Sequence, residues 1–194
     1  MSRARDLANY ISTGVTAAEL DQLDTTSGTP GSGNFLRGDK TWVAAGGGKV
    51  VQVVKGTTVT DTSSTSSNTF QVKATPVVVI TPTSATNQIL ILGSIMGDNR
   101  SDQIYIDLHR SIAGGASTDN LSGYDNGMTY IYTGASEPDR VISSFSCTWV
   151  DETYDTTSVA ITYKFSFRNS NGSTTIYIGG SQVGQMLTAI EIDV

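Results

Sequence analysis

Apolar and polar residues alternate with a period of two through most of the second half of the chain. The clearest run is residues 159–168. Val159, Ile161, Tyr163, Phe165 and Phe167 fall on one side, and Ala160, Thr162, Lys164, Ser166 and Arg168 on the other. That is the pattern of a half-buried strand. In residues 103–110, Ile104, Ile106 and Leu108 oppose Gln103, Tyr105, Asp107 and His109, so His109 is expected on an exposed face. Residues 186–194 close the sequence as a strand within a sheet, with Met186, Thr188, Ile190, Ile192 and Val194 on one face. Further strands are expected at 49–54, 69–74, 88–95, 128–132 and 141–150. Val77, Val78, Val79 and Ile80, four branched residues between Pro76 and Pro82, predict a strand buried on both sides. Residues 61–68 (DTSSTSSN) read as a polar loop. Residues 169–173 (NSNGS) read as a turn after which 174–178 returns antiparallel. Eight or more short strands without a convincing helix imply an antiparallel β-sandwich, jelly-roll-like, over residues 46–194.

The first 45 residues follow another pattern. Thr16 can cap a helix, Glu19 can reach back to it, and Val15 can pack on Leu20. The helix ends by Thr25–Gly28, well short of the ~12–15 residues that an isolated helix needs. Leu20 and Leu23 therefore need a partner. Upstream, Leu7, Tyr10 and Ile11 form a second short apolar stripe. Residues 28–42, GTPGSGNFLRGDKTW, join this arm to the strand-rich part. Their Gly and Pro residues oppose regular structure, yet Phe35 and Trp42 are large apolar groups that call for cover. Either the following domain covers them or neighbouring copies of the chain do. The expected division is an arm and neck at 1–45, a short helical and extended stalk, and a β head at 46–194.

Charge and composition narrow the function. A net charge of −6 and only 15% charged residues argue against a nucleic-acid surface. No stretch approaches the ~18 apolar residues of a membrane span, and the first residues hold no signal-peptide core. The expectation is a soluble protein made in a cytoplasm. The single Cys147 lies in an expected strand and reads as a buried thiol.

Catalytic chemistry is sparse. One histidine, His109, and one cysteine leave no multi-histidine metal site, so no metal or cofactor is expected. No nucleophile elbow, phosphate loop or dinucleotide fingerprint occurs. Acidic residues are plentiful, but nothing pairs two of them at glycosidase spacing. No enzyme is expected. Two loops do suit a sugar, which aromatic faces and planar polar groups hold together: Tyr124, Asp125 and Asn126 in GYDNG, and Asp151 and Tyr154 in DETYD. The alternative is that both tyrosines pin their own loops. Calcium binding at Asp151, Glu152 and Asp155 lacks the EF-hand spacing. The Arg37-Gly38-Asp39 tripeptide sits inside the joint and reads as part of it, not as an integrin ligand.

VTAAELDQLD followed by GTPGSGNFLRGDKTW resembles a module of bacteriophage tail fibres and related virion fibres over residues 14–42. In those proteins it links a shaft to a distal head. Lys40 departs from the small residue found at that point in many relatives. The words ITPTSATNQILILGS, IDLHRS and STTIYIGG…LTAIEID also resemble small fibre heads, in the same order. The resemblance implies a homotrimer with Leu20, Leu23, Phe35 and Trp42 at the axis or against adjacent chains. It also implies a virion location on a phage tail or other projection, an arm joined to other tail or capsid proteins, and a head that meets host glycan. A capsid decoration (cement) protein and a polysaccharide depolymerase are the competing expectations.

Overall fold

The computed structural model describes residues 34–36, 38, 41–44, 49–99, 103–132, 141–155, 157–180 and 184–194. Every regular element among them is a strand, and every pairing between strands is antiparallel. The chain divides into two compact units, Met1–Gly48 and Lys49–Val194. The break expected at 45/46 lies beside the same glycine run, Gly46–Gly48.

In the first unit, β1 (Asn34–Leu36) pairs with β2 (Trp42–Ala44), Phe35 standing opposite Val43. The joint therefore includes a small hairpin, which its glycine content had argued against. The Trp42 side chain is half-buried. Leu20, Leu23, the expected helix and the Phe35 side chain lie outside the described residues.

The second unit holds two sheets. The first contains β3 (Val50–Lys55), β4 (Thr62–Thr65), β6 (Gln88–Asn99), β10 (Val141–Asp151), β12 (Ile176–Gly179) and β13 (Met186–Ile192). The second contains β5 (Gln71–Ile80), β7 (Gln103–Ile112), β8 (Ser117–Thr118), β9 (Thr129–Tyr132) and β11 (Ile161–Asn169). Ile89, Ile91, Ile178 and Leu187 of the first sheet join Ile106, Leu108, Tyr163 and Phe165 of the second in one core.

Strand β6 is the hub. It pairs with β10 along residues 89–99, and with β13 and then β12 on its other side. Gly93 at its middle has no room for a side chain. A Cβ there would stand 2.7 Å from Cys147 Sγ and 2.8 Å from both Leu187 and Phe165. The missing side chain lets the Phe165 ring reach between the sheets.

Several expectations need correction. Residues 61–68 are not all loop, because β4 pairs with β12. The run 77–80 is one end of a longer strand, β5, and is buried on one side only. Val78 and Ile80 face the core while Val79 is 47% exposed. The reason is position: β5 is the edge of its sheet, paired with β11 alone. Strand β11 skips residues 73–76 between its partners Val72 and Val77. Pro76, which has no N–H to give, sits in that unpaired stretch. Residues 174–178 do not return against β11. Strand β12 crosses to the other sheet and pairs with β4 and β6. Strand β13 lies in the sheet, yet the face carrying Ile190 and Ile192 is half-exposed while Leu187, Ala189 and Glu191 point inward. His109 is buried, not exposed, because residues 119–122 fold over that face of β7.

Candidate functional site

Alternation along β7 and β11 sends Tyr105 and Arg168 to the side away from the core, directly opposite each other in register. Strand β9 adds Tyr130 beside Tyr105. Phe70 immediately precedes β5. The four side chains make a row across one end of the second sheet. The Arg168 guanidinium stacks 4.3 Å from the centre of the Tyr105 ring and 5.5 Å from that of Phe70. Tyr105 and Tyr130 meet at 6.1 Å with their planes tilted by 45°. Such stacks favour a flat, delocalised cation and hold the rings in place. Tyr130 and Tyr132 on β9 are 57% and 61% exposed.

The loop expected to contact a receptor stands over this row. Its conformation is fixed from below by a buried carboxylate. Asp107 accepts the N–H of Leu108 at 2.6 Å and of Ser122 at 3.2 Å, and also the Ser122 hydroxyl. Burial raises the Asp107 pKa, and these donors offset part of that rise. Asn120 then ties the loop to itself, accepting from Gly123 N–H at 3.1 Å and donating to the Tyr124 carbonyl at 2.9 Å. The same carbonyl accepts the Gly127 N–H at 2.9 Å. Gly127 adopts φ +68°, and a Cβ there would come within 2.5 Å of the Ile106 carbonyl oxygen. Only glycine lets the loop rejoin β7 this closely. What remains outside is Tyr124, 65% exposed, with Asp125 and Asn126 beside it.

Arg168 binds this loop to another. Nε and Nη2 donate to the Asp125 carbonyl at 3.2 and 2.5 Å. Nη1 donates to the carbonyls of Asn68 and Asn169, each at 3.3 Å. Between the two loops lies a recess of about 460 Å³ lined by Asn68, Thr69, Phe70, Asn120, Asp125 and Arg168. This open, partly aromatic recess lies beside the exposed loop and is the candidate site for ligand contact.

The second expected loop is built for a different task. Asp151 is 1% exposed and receives both its oxygens' bonds from Arg110 Nη1, at 2.8 and 2.9 Å. The Tyr163 hydroxyl adds a bond at 2.8 Å, and Thr153 adds its N–H and hydroxyl at 3.0 Å each. Arg110 comes from one sheet and Asp151 from the other, so this is a polar tie between layers. Tyr154 is 2% exposed, and its hydroxyl donates to the Asn87 carbonyl at 2.6 Å. Burial, together with the Glu191 and Asp151 charges, pushes that phenol up to about 12. Asp151 and Tyr154 are thus enclosed where contact with a receptor needs exposure. Tyr124, Asp125 and Asn126 are the members of the expected set that face outward.

Cys147 is half-buried, and burial pushes its thiol up to about 12, so it stays protonated at neutral pH. His109 Nδ1 lies 2.8 Å from Asp119 Oδ1 on the opposite side of the second sheet from the core. Cys147 faces the core from the first sheet. The two do not form a nucleophile and base pair. Among the described residues no three His, Cys, Asp or Glu side chains are grouped to hold a metal ion.

Sequence reasoning found the exposed loop but not its platform. Phe70, Tyr105, Tyr130 and Arg168 are far apart in the chain, and only sheet register brings them together. One signal was present: Tyr105 and Arg168 both occupy outward positions of strongly alternating strands. Large rings and cations on such faces mark a surface meant to be covered. No protein-family model matches the chain, and comparison with curated proteins gives no match.

Proposed function

We propose that this chain is a structural fibre protein of a bacteriophage virion, a non-enzymatic homotrimer. Residues 1–45 join it to other tail or capsid proteins through a short helical and extended stalk. Leu20, Leu23, Phe35 and Trp42 pack at the threefold neck. The C-terminal head, a jelly-roll-like β-sandwich, contacts glycan on the host surface through Tyr124, Asp125 and Asn126. No cofactor and no metal takes part.

The single observation that carries the fibre reading is the likeness of residues 14–42 to the fibre neck module, in both residue types and spacing. A preorganised loop with an exposed tyrosine, set against an aromatic row, supports the contact role for the head. Several heads on one particle turn weak individual contacts into firm attachment through effective concentration. The test is attachment of labelled full-length protein to a panel of bacterial cells. Saturable binding that disappears when residues 46–194 are deleted is the expected result. Binding that survives this deletion removes the receptor role from the head.

A further inference from the structure

Within the proposed receptor role, on which this inference rests, the chemistry of the recess separates two classes of glycan. Polysaccharides are either neutral or acidic, and the acidic ones carry carboxylates. An acidic sugar is normally recognised by an arginine that gives two parallel N–H bonds to the carboxylate. Arg168 is the cation of the recess, but its fork is already occupied. Four of its five N–H groups donate to backbone carbonyls of the surrounding loops, which leaves no parallel pair for a carboxylate. Its flat face is covered by the Tyr105 ring. Guanidinium and loops form one unit, and turning the fork toward a ligand would take those loops apart.

The polar ends left open have a different character. The Asp125 carboxylate makes no hydrogen bond or ion pair with a described residue, since only its main-chain carbonyl is engaged. The Asn68 side chain, on the opposite wall, makes none either, and Asn126 is exposed beside Asp125. A carboxylate and planar amides are groups that fork pairs of neighbouring hydroxyls. The carboxylate also repels an anionic sugar, as does the net charge of −6 on the chain. Phe70 supplies the apolar wall on which the C–H face of a sugar ring can rest.

We propose that the recess between the loops at 68–70 and 120–127 binds a neutral, hydroxyl-rich saccharide. Asp125 and Asn68 take its hydroxyls, and Phe70 supports its ring. Acidic polysaccharides are bound less tightly. Arg168 acts as a positioning residue that holds the walls apart at the right width.

The experiment is binding of the full-length protein to immobilised polysaccharides. Dextran, mannan and galactan serve as neutral probes, and alginate and polysialic acid as acidic ones. At least one neutral polymer should bind, with no acidic polymer bound more tightly. Asp125→Ala should weaken that binding at least tenfold while melting as the parent does. Phe70→Ala should weaken it at least tenfold with a small loss of stability, because its ring also stacks on Arg168. Asp125→Asn, which keeps one acceptor and removes the charge, should weaken it less than Asp125→Ala. Preference for alginate or polysialic acid overturns the proposal, as does neutral binding that Asp125→Ala leaves intact. No binding to any polymer, alongside attachment to cells through residues 46–194, also overturns it and leaves the receptor role standing on a protein ligand.

Discussion

Glu191 shows how much of the fold rests on single polar side chains that alternation alone would place outside. It is fully buried at the inward face of β13. Its carboxylate accepts Gln52 Nε2 at 2.5 Å, Asn87 Nδ2 at 2.7 Å, and Thr83 N–H and hydroxyl at 2.7 and 2.8 Å. Burial alone would raise its pKa, but these donors outweigh it and hold the group below the ordinary carboxylate range. Because the folded pKa is the lower one, this contribution to stability is complete above the unfolded value of about 4.3. It is lost as pH falls through the folded value. Glu191→Gln, which turns an acceptor into a donor facing donors, is expected to cost about 1–3 kcal/mol at pH 7. Urea unfolding from pH 7 to pH 3 should show the gap between parent and variant closing below about pH 4.3. A constant gap would mean that the carboxylate's charge does not matter. Lys73, His109 and Asp151 are buried in the same way, each against a specific partner. Periodicity could not reveal them. A polar residue at an inward position looks like a break in the pattern until its partner, distant in sequence, is known.

At the level of elements, strands were legible and their neighbours were not. The alternation in β7 and β11 placed Ile104, Ile106, Leu108, Tyr163, Phe165 and Phe167 together on core-facing sides, where they lie. It could not tell that β12 leaves β11 for the other sheet, because a turn sequence such as NSNGS fits a hairpin and a crossover equally well. Nor could it show that two loops, one before β5 and one before β9, share a single arginine. That arginine is a coupling between elements, and it can be tested as one. Arg168→Ala and Arg168→Lys should both release the loops, because lysine lacks the planar fork and the broad face that stacks on a ring. Each should cost about 1–2 kcal/mol, the sum of modest cation–π and charge-assisted bonds at a partly exposed site. Amide exchange should rise at Gly123 and Gly127, whose N–H groups bond within the loop, and stay slow in β6. Protection kept in the lysine variant would show that charge alone holds the loops.

For the whole molecule, composition and periodicity pointed correctly to a mostly β, antiparallel second unit with one core. The first 48 residues are harder to read because their apolar residues are few and form no long periodic run. Leu20 and Leu23 lie on a stretch too short to be helical alone. The β1–β2 hairpin is marginal without further layers. In the proposed neck such a segment would gain order from identical copies about a common axis, each adding apolar surface. That is the physical content of the proposed neck, and it fixes a mass. Sedimentation equilibrium of the full-length protein should give about three times the 20.5 kDa of one chain across a hundredfold range of concentration. The pair Leu20→Asp with Leu23→Asp should shift this to one chain mass and leave the strand signature of the head unchanged, since neither residue belongs to the unit 49–194. A parent protein that sediments as a monomer throughout would remove the neck. A double variant that stays trimeric would move the association out of the arm, leaving Leu20 and Leu23 no part in holding the copies together.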